Sequence, residues 1–176
     1  MTRKILRDVC RTRLSPYVTL VERQVETNGR IEAFHSLAQA DYVTVLAVAK
    51  DGCIPLVCQY RPALERDFLE LPGGLLEAGE APAACAAREL AEETGFRTTS
   101  APRLLGQLDP DSGRLENKLW AFLATGVEPV ESWRSESGVE RILTDRSELL
   151  ASITDGRFTH ALHIAIVGMA LAAGAF

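Results

Sequence analysis

One acidic stretch, residues 74–96, limits most strongly what this 176-residue chain can fold into. It reads GLLEAGEAPAACAARELAEETGF and holds five glutamates against a single arginine. The alanine-rich middle predicts a helix that begins at Pro82, a first-turn position where proline is tolerated, and stops at Gly95. Helical spacing places Glu89, Glu92 and Glu93 on one patch of its surface.

These crowded carboxylates predict a bound cation. Like charges three and four residues apart destabilise a helix, and neighbouring carboxylates resist joint ionisation. Arg88 can pair with one of them, which leaves the others for a divalent metal ion. Hard oxygen ligands suit Mg²⁺, with Mn²⁺ as an alternative. A solvated glutamate face would be the better interpretation of an arbitrary Glu-rich helix, but the wider pattern argues against it.

That wider pattern resembles the signature of the Nudix hydrolase family, and every fixed position is filled. The fixed positions are Gly74, Glu80, Arg88-Glu89-Leu90, Glu92-Glu93 and Gly95-Phe96. The resemblance implies a pyrophosphohydrolase that cleaves a nucleoside diphosphate linked to another group, using divalent metal held by this loop and helix.

The same resemblance assigns roles within the stretch. It implies that the Gly73 carbonyl, Glu89 and Glu93 bind metal directly. Glu92 would ligate or bridge a second metal ion, so that Glu92 and Glu93 both serve catalysis. Glu80 and Arg88 are expected to pair and to brace the loop against the helix, which is a structural role.

The flanking residues resemble the ADP-ribose pyrophosphatase branch of nucleoside-diphosphate-sugar hydrolases. The matching segments are Gln59-Tyr60-Arg61-Pro62, Glu70-Leu71-Pro72-Gly73-Gly74, and Pro110, fifteen residues after Gly95. This resemblance implies hydrolysis of ADP-ribose to AMP and ribose 5-phosphate, and a homodimer formed through the N-terminal strands.

Three alternatives stay open. GDP-mannose or another nucleotide sugar could be the substrate, because the residues that recognise the base are not legible in the sequence. The chain could also be a housecleaning hydrolase of oxidised nucleotides, or a module that senses ADP-ribose without cleaving it. The presence of Glu89, Glu92 and Glu93 together favours an enzyme.

Three residues outside the helix are candidates for substrate binding. Arg61 can hold a phosphate through its planar fork, or it can form a surface ion pair with Glu65 or Asp67. Glu70 can anchor a sugar hydroxyl or an outer water, or it can only pin the loop. Arg114 can contact the terminal ribose or be solvated.

The resemblance to the ADP-ribose pyrophosphatase branch implies that the general base comes from a distal loop, which here is residues 131–138. Glu136 is the first candidate and Glu140 the second, while Glu93 itself can serve if the loop stays away from the site. Trp133 in the same loop is expected to pack on its own domain in preference to stacking on adenine.

Cysteines and histidines do not predict a second metal site. The four cysteines show no zinc spacing, and Cys85 on the helix is interpreted as a packing residue and not a nucleophile. His160 and His163 are three apart on the last helix without an evident carboxylate on that face. They are expected to be core or interface residues.

Composition narrows the class of protein. A net charge of −5 gives no broad basic footprint for nucleic acid. The most apolar run, residues 161–176, is too short and too mixed to predict a membrane span, and no secretory signal is evident. We therefore expect a cytoplasmic protein without a membrane or nucleic-acid partner.

The strand and helix pattern predicts an α/β fold, an α/β/α sandwich around a mixed central sheet. Residues 1–40 are expected to form an irregular basic arm and a β-hairpin turning at Asn28-Gly29, and residues 41–176 the hydrolase domain. Two apolar runs, 42–49 and 54–60, predict a central hairpin. A buried helix is expected over residues 159–173.

Overall fold

The computed structural model describes residues 3–135 and 137–176 of the chain, and these form eleven strands and three helices. The strands are β1 (Arg3–Arg13), β2 (Thr19–Thr27), β3 (Arg30–Ala38), β4 (Tyr42–Ala49), β5 (Ile54–Arg61), β6 (Arg66–Glu70), β7 (Gly73–Leu75), β8 (Phe96–Arg97), β9 (Arg103–Leu108), β10 (Leu119–Pro129) and β11 (Val139–Thr144). The helices are α1 (Pro82–Thr94), α2 (Arg146–Thr154) and α3 (Ala161–Ala172).

The chain divides into two compact units. The first contains the residues up to Asp41 together with Leu108–Leu119, and the second contains Tyr42–Gln107 and Trp120–Phe176. The strands form three sheets, in the orders β1-β2-β3, β7-β4-β10-β8 with β9 paired to β10, and β11-β5-β6.

The first unit is built on the sheet β1-β2-β3. Asn28 and Gly29 both have positive φ, 52° and 78°, and link β2 to β3 as a two-residue turn. This is the type I′ geometry that suits the twist of a hairpin, so the predicted hairpin is confirmed. The predicted irregular arm is wrong, because β1 pairs antiparallel with β2 along its length. That pairing satisfies backbone groups that β2 would otherwise leave open at a sheet edge.

Residues 108–119 belong to this first unit, which the sequence did not indicate. The Leu37 N–H donates to the Arg114 carbonyl at 2.7 Å, and the Glu116 N–H donates to the Leu37 carbonyl at 3.0 Å. The Glu116 carboxylate also accepts hydrogen bonds from Arg23 and Ser36, and these bonds lower the pKa of Glu116.

The second unit is layered around β4. Val43, Val45 and Ala47 point to one face and pack against buried residues of α1. Thr44 points to the opposite face, as alternation along a strand requires, and contacts His163 of α3. Helices therefore cover both faces of the sheet, which confirms the predicted mixed α/β sandwich.

The predicted central hairpin of β4 and β5 is wrong. A tight turn does join them, with Gly52 at φ 86° and the Ala49 N–H bonded to the Cys53 carbonyl at 2.8 Å. The two strands then enter different sheets, because β4 pairs with β7 and β10 while β5 pairs with β6 and β11. Both strands are apolar enough to be buried in either sheet, so their sequences alone did not distinguish the pairings.

The helix predicted over residues 159–173 is observed as α3, Ala161–Ala172. Asp145 caps α2 by accepting from the Glu148 N–H at 2.9 Å, and His160 stands at the N-cap of α3. Among the described helices, none combines the length and the apolar character needed to cross a lipid bilayer.

Candidate active site

Helix α1 has the predicted bounds. Proline opens it at Pro82, and Gly95 ends it with a left-handed φ of 67°. Two side chains satisfy carbonyls at its carboxyl end. Arg141 donates from Nη1 to the Thr94 carbonyl at 2.9 Å, and Trp133 donates from Nε1 to the Glu92 carbonyl at 2.9 Å.

Trp133 packs against this end of α1. A Cβ atom added at Gly95 would lie 2.5 Å from the Trp133 ring, so this position requires a glycine. The Arg141 guanidinium covers the indole ring at 4.6 Å. The predicted packing role of Trp133 on its own domain is confirmed.

Arg88 lies at the centre of four side chains of the acidic stretch. Its Nε and Nη2 donate to the two carboxylate oxygens of Glu80 at 2.9 and 3.0 Å, and its Nη1 donates to Glu89 at 2.8 Å and Glu92 at 3.0 Å. The Arg88 bonds lower the pKa of Glu80 to about 2. Nη2 also approaches Cys85 Sγ at 3.3 Å. The geometry is that of a clamp between the loop and the helix.

The Cys85 thiol is held in its protonated form. Burial and the neighbouring Glu80 carboxylate raise its pKa to about 12. A thiol that stays protonated at neutral pH is a poor nucleophile, which agrees with the predicted packing role.

The loop before α1 is joined to the helix through Glu93. The Gly73 N–H donates to Glu93 Oε2 at 2.8 Å. Gly73 itself lies flat on β4, because an added Cβ would come within 2.2 Å of the Val43 carbonyl oxygen. A Cβ at Gly74 would fall 2.3 Å from Glu89 Oε1, which is the end of a side chain and not backbone. Gly73 is therefore required for close approach of the loop to the strand, and Gly74 leaves room for the Glu89 carboxylate.

Glu89 and Glu93 are the perturbed carboxylates of the site. Burial raises the pKa of Glu89, and Arg88 opposes that effect. Burial also raises the pKa of Glu93 to about 7, the Gly73 N–H opposes the rise, and the Glu89 and Glu70 carboxylates add to it. Two neighbouring carboxylates whose pKa values are both raised are typical of a functional site, and a bound cation would stabilise their charged forms.

These residues line a cavity of about 370 Å³ in the second unit. The predicted site residues that it brings together are Gly73, Glu89, Glu93, Arg61 and Glu70. Glu92 is not among the lining residues; its side chain is 56 % exposed and pairs with Arg88. The clamp residues Glu80 and Arg88 also stand outside the lining.

The remaining predicted residues are placed differently. Glu136 lies outside the described residues. Glu140 lies on β11 and lines a separate cavity with Gln59 and Tyr60. Arg114 belongs to the first unit, where its side chain is 83 % exposed and its Nη1 lies 3.6 Å from Asp111 Oδ2.

Arg61 and Glu70 form an ion pair at the cavity wall. Arg61 donates from Nε at 2.7 Å and from Nη2 at 2.5 Å to the two Glu70 oxygens. The Glu70 side chain is only 5 % exposed, so its charge needs this partner. The alternative interpretation, an ion pair of Arg61 with Glu65 or Asp67, named the wrong partner, because the guanidinium pairs with Glu70.

The structure adds two residues that the sequence did not assign to the cavity, His160 and His163. Their rings stack with centroids 3.7 Å apart and planes 14° apart. His163 is buried, 4 % exposed, which confirms its predicted place in the core. Glu70 of β6 shares this cluster, and the sequence of the last helix did not indicate that neighbour. The spacing of the histidines at the start of α3 was the one available signal.

The cluster of Glu70, His160 and His163 does not suit a metal ion, although their ligand atoms lie within 4.8 Å of one another. An imidazole binds metal through a nitrogen lone pair in the plane of its ring, and two nearly parallel stacked rings cannot direct those lone pairs at one ion. Both Glu70 oxygens already accept from Arg61.

The glutamate patch, formed by Glu89 and Glu93, does suit a metal ion. Glu89 and Glu93 offer hard oxygen ligands beside the Gly73 loop, and burial makes their charges costly without a cation. Arg61 is the only lysine or arginine lining the cavity in the described chain, and its fork is held by Glu70. The residues present thus fit a divalent ion such as Mg²⁺ or Mn²⁺.

Comparison with known proteins decides the family. Residues 38–149, more than half of the chain, match the family described as NUDIX domain. The chain belongs to the Nudix family. A solved structure titled "Crystal structure of ADP compounds hydrolase" shares the Nudix fold of this chain, with a TM-score of 0.81 and 20 % identity over 100 % of this chain and 98 % of that chain.

Several curated relatives also match this Nudix chain. The ADP-ribose pyrophosphatase of Mycobacterium tuberculosis (strain ATCC 25618 / H37Rv) is 43 % identical over 89 residues, which is 50 % of this chain and 42 % of that protein. The ADP-ribose pyrophosphatase of Bacillus subtilis (strain 168) is 45 % identical over 69 residues, 39 % of this chain and 37 % of that protein. The matched part thus spans less than half of each relative's length.

A third relative matches more broadly. The CMP-5'-(N-acetyl-N-hydroxy-3-aminopropyl)phosphonate hydrolase of Streptomyces rubellomurinus (strain ATCC 31215) is 31 % identical over 144 residues, 78 % of this chain and 69 % of that protein.

Proposed function

We propose that this chain hydrolyses the diphosphate bond of a nucleoside diphosphate sugar with the help of a divalent metal ion, and that ADP-ribose is its substrate. The observation that carries the proposal is the cavity in which Glu89 and Glu93 meet the Gly73 loop and Arg61. The names of the relatives in Mycobacterium tuberculosis and Bacillus subtilis support ADP-ribose as the substrate.

Glu89 and Glu93 would hold the metal ion, as would the Gly73 carbonyl and, from the solvent side, Glu92. A bound divalent ion lowers the pKa of a water molecule and neutralises phosphoryl oxygens. Mg²⁺ is the proposed ion and Mn²⁺ an active substitute.

Arg61 would hold a phosphate, and its ion pair supports that role. Glu70 occupies Nε and Nη2, whereas Nη1 has no partner among the described residues. Glu70 thereby fixes the plane of the guanidinium and leaves one edge for a phosphate oxygen. In this proposal Glu70 orients Arg61 and does not anchor a sugar hydroxyl.

Three glutamates are candidates for the general base. Glu136 remains the first candidate from the resemblance. Glu140 is disfavoured, because it lines a different cavity. Glu93 lines the cavity itself, and burial raises its pKa to about 7, which supports Glu93 as a candidate. Arg114 stays a candidate for the terminal ribose.

A second candidate substrate follows from the broadest sequence match. The Streptomyces rubellomurinus relative, which matches 78 % of this chain, is named for hydrolysis of a CMP-linked phosphonate. Cytidine in place of adenosine, and a phosphonate in place of the second phosphate, would leave the glutamate patch and Arg61 in the same roles. GDP-mannose stays a further alternative.

A substrate panel tests the proposal. The purified protein is incubated with ADP-ribose, GDP-mannose and CMP-linked phosphonate, each with Mg²⁺, Mn²⁺ or EDTA, and kcat/KM is measured from the nucleoside monophosphate released. We expect AMP from ADP-ribose with the highest kcat/KM, and no release with EDTA. A higher kcat/KM on the CMP-linked compound would identify that compound, and not ADP-ribose, as the substrate. Absence of metal-dependent turnover with every compound would refute the proposed function.

We also propose that two copies associate through the first unit. Five large apolar side chains before residue 41 are more than half exposed, and a partner surface would cover them: Ile5, Leu14, Tyr17, Ile31 and Phe34. We expect light scattering to give the mass of a dimer at micromolar concentration, and Phe34→Glu to reduce it to that of a monomer. A monomeric wild-type protein would contradict this proposal. The cytoplasmic location stays a prediction.

A further inference from the structure

His163 is a buried polar side chain outside the glutamate patch. It lies on the inner face of α3 and is 4 % exposed. Its Nδ1 accepts from the Leu71 N–H at 3.0 Å, and its Nε2 lies 3.4 Å from the Thr44 hydroxyl. Both ring nitrogens of a buried imidazole thus have a partner.

These contacts define one form of the ring. A backbone N–H can only donate, so Nδ1 carries no proton, and the single proton of the neutral ring sits on Nε2. The Thr44 hydroxyl oxygen accepts it. Burial, reinforced by His160 and Arg61, lowers the pKa of His163 well below its usual value, which keeps the ring neutral.

The two partners of His163 lie on either side of Gly73. Leu71 precedes Gly73 by two residues, and Thr44 is the residue paired with Gly73 between β4 and β7. Pro72, which lies between Leu71 and Gly73, is also bonded to β4, because its carbonyl accepts from the Val45 N–H at 2.9 Å. The His163 imidazole therefore contacts both the loop just before Gly73, through Leu71, and the strand β4 beside Gly73, through Thr44.

The chain of contacts continues to the glutamate patch. The Gly73 N–H donates to Glu93 Oε2 at 2.8 Å, so the position of the loop sets the position of that carboxylate. A shift of Leu71 would move Gly73 and Glu93 together. Hydrogen-bond partners behind metal-binding groups commonly control affinity in this way.

We propose that His163 is a positioning residue, which holds the Leu71–Gly73 segment so that the Gly73 carbonyl and the Glu93 carboxylate are preorganised for a divalent metal ion. The inference rests on the proposed metal-dependent function and deepens it. It gives α3, which contributes no metal ligand, a defined effect on metal binding.

Three variants separate this role from a general loss of packing. His163→Leu removes both contacts and leaves the Leu71 N–H buried without an acceptor. His163→Asn keeps an amide oxygen near the position of Nδ1 and should restore the Leu71 contact. Ile166→Ala is the matched control, because Ile166 is fully buried on α3 but does not line the cavity.

The measurement is the dissociation constant of Mn²⁺, taken from the electron paramagnetic resonance signal of free Mn²⁺, with thermal melting of each variant beside it. We expect His163→Leu to bind Mn²⁺ about 10- to 100-fold more weakly than wild type. His163→Asn should recover most of that loss. Ile166→Ala should melt at a lower temperature while its Mn²⁺ affinity stays at the wild-type value.

Hydrogen exchange provides a readout without metal. In the metal-free His163→Leu protein, the amides of Leu71 and Gly73 should exchange faster than in Ile166→Ala at equal global stability. Wild-type Mn²⁺ affinity in His163→Leu, or an equal loss in Ile166→Ala, would overturn the inference and leave the proposed function standing. Absence of Mn²⁺ binding by the wild-type protein would overturn both.

Discussion

Replacing Glu93 with glutamine is expected to lower kcat for ADP-ribose about 1000-fold while the protein stays folded. The substitution removes one negative charge from the glutamate patch. Stabilisation of transition-state charge by a bound metal ion contributes several kcal/mol to such reactions, equivalent to roughly three powers of ten in rate. The fold should survive, because the glutamine oxygen can still accept from the Gly73 N–H that now donates to Glu93 at 2.8 Å.

Without metal, the Glu93→Gln protein should be more stable than the wild-type protein at alkaline pH. Burial raises the pKa of folded Glu93 to about 7, above the ordinary value of 4.5. The folded state therefore binds the proton more tightly than the unfolded state, and stability falls as pH rises between these two values. Glutamine has no charge to bury and abolishes that loss.

Steady-state kinetics and Mn²⁺ titrations check this prediction. Wild-type Mn²⁺ affinity should rise up to about tenfold per pH unit below pH 7 and level off above it, because the metal competes with one proton on Glu93. The Glu93→Gln profile should lack that slope. Glu77→Gln is the control, since Glu77 is an exposed glutamate of the same loop. An unchanged kcat in Glu93→Gln would refute the metal assignment.

Local features of the site were predictable from sequence because they depend on neighbours along the chain. The bounds of α1 followed from Pro82 and Gly95, whose backbone preferences act within one turn. The turn at Asn28-Gly29 followed in the same way. The spacing of Glu89 and Glu93 placed both on one face of α1 whatever that helix packed against.

Features that depend on distant pairing were not predictable. The strands β4 and β5 are both apolar, and hydrophobicity alone does not decide which sheet a strand joins. Arg61 had acidic residues at nearby positions in sequence, yet its partner is Glu70, which the β5–β6 pairing places opposite Val57 and within reach of the Arg61 side chain. His163 accepts from the Leu71 N–H although the two residues are 92 apart along the chain, because α3 packs back over the sheet.

Replacing Gly74 with alanine is expected to weaken Mn²⁺ binding and to lower kcat/KM by about 100-fold, the usual effect of displacing a functional group by about 1 Å. A Cβ atom at this position would lie 2.3 Å from Glu89 Oε1 and 2.4 Å from its Cδ. Because the obstructed atoms are the end of a flexible side chain, the carboxylate should swing away while the backbone stays in place. Its hydrogen bond from Arg88 Nη1, now 2.8 Å, should be lost as well.

A double-mutant cycle with Glu89→Ala distinguishes displacement of Glu89 from any other effect of the added methyl group. If Gly74→Ala acts by moving Glu89, then adding it to Glu89→Ala should weaken Mn²⁺ binding no further, since the group that it displaces is already gone. Gly168→Ala, at an exposed position of α3 with open space around its Cβ, should leave Mn²⁺ affinity unchanged and raise stability by about 0.5–1 kcal/mol. Additive losses in the double variant would show that Gly74 matters to the loop itself and not through the Glu89 carboxylate.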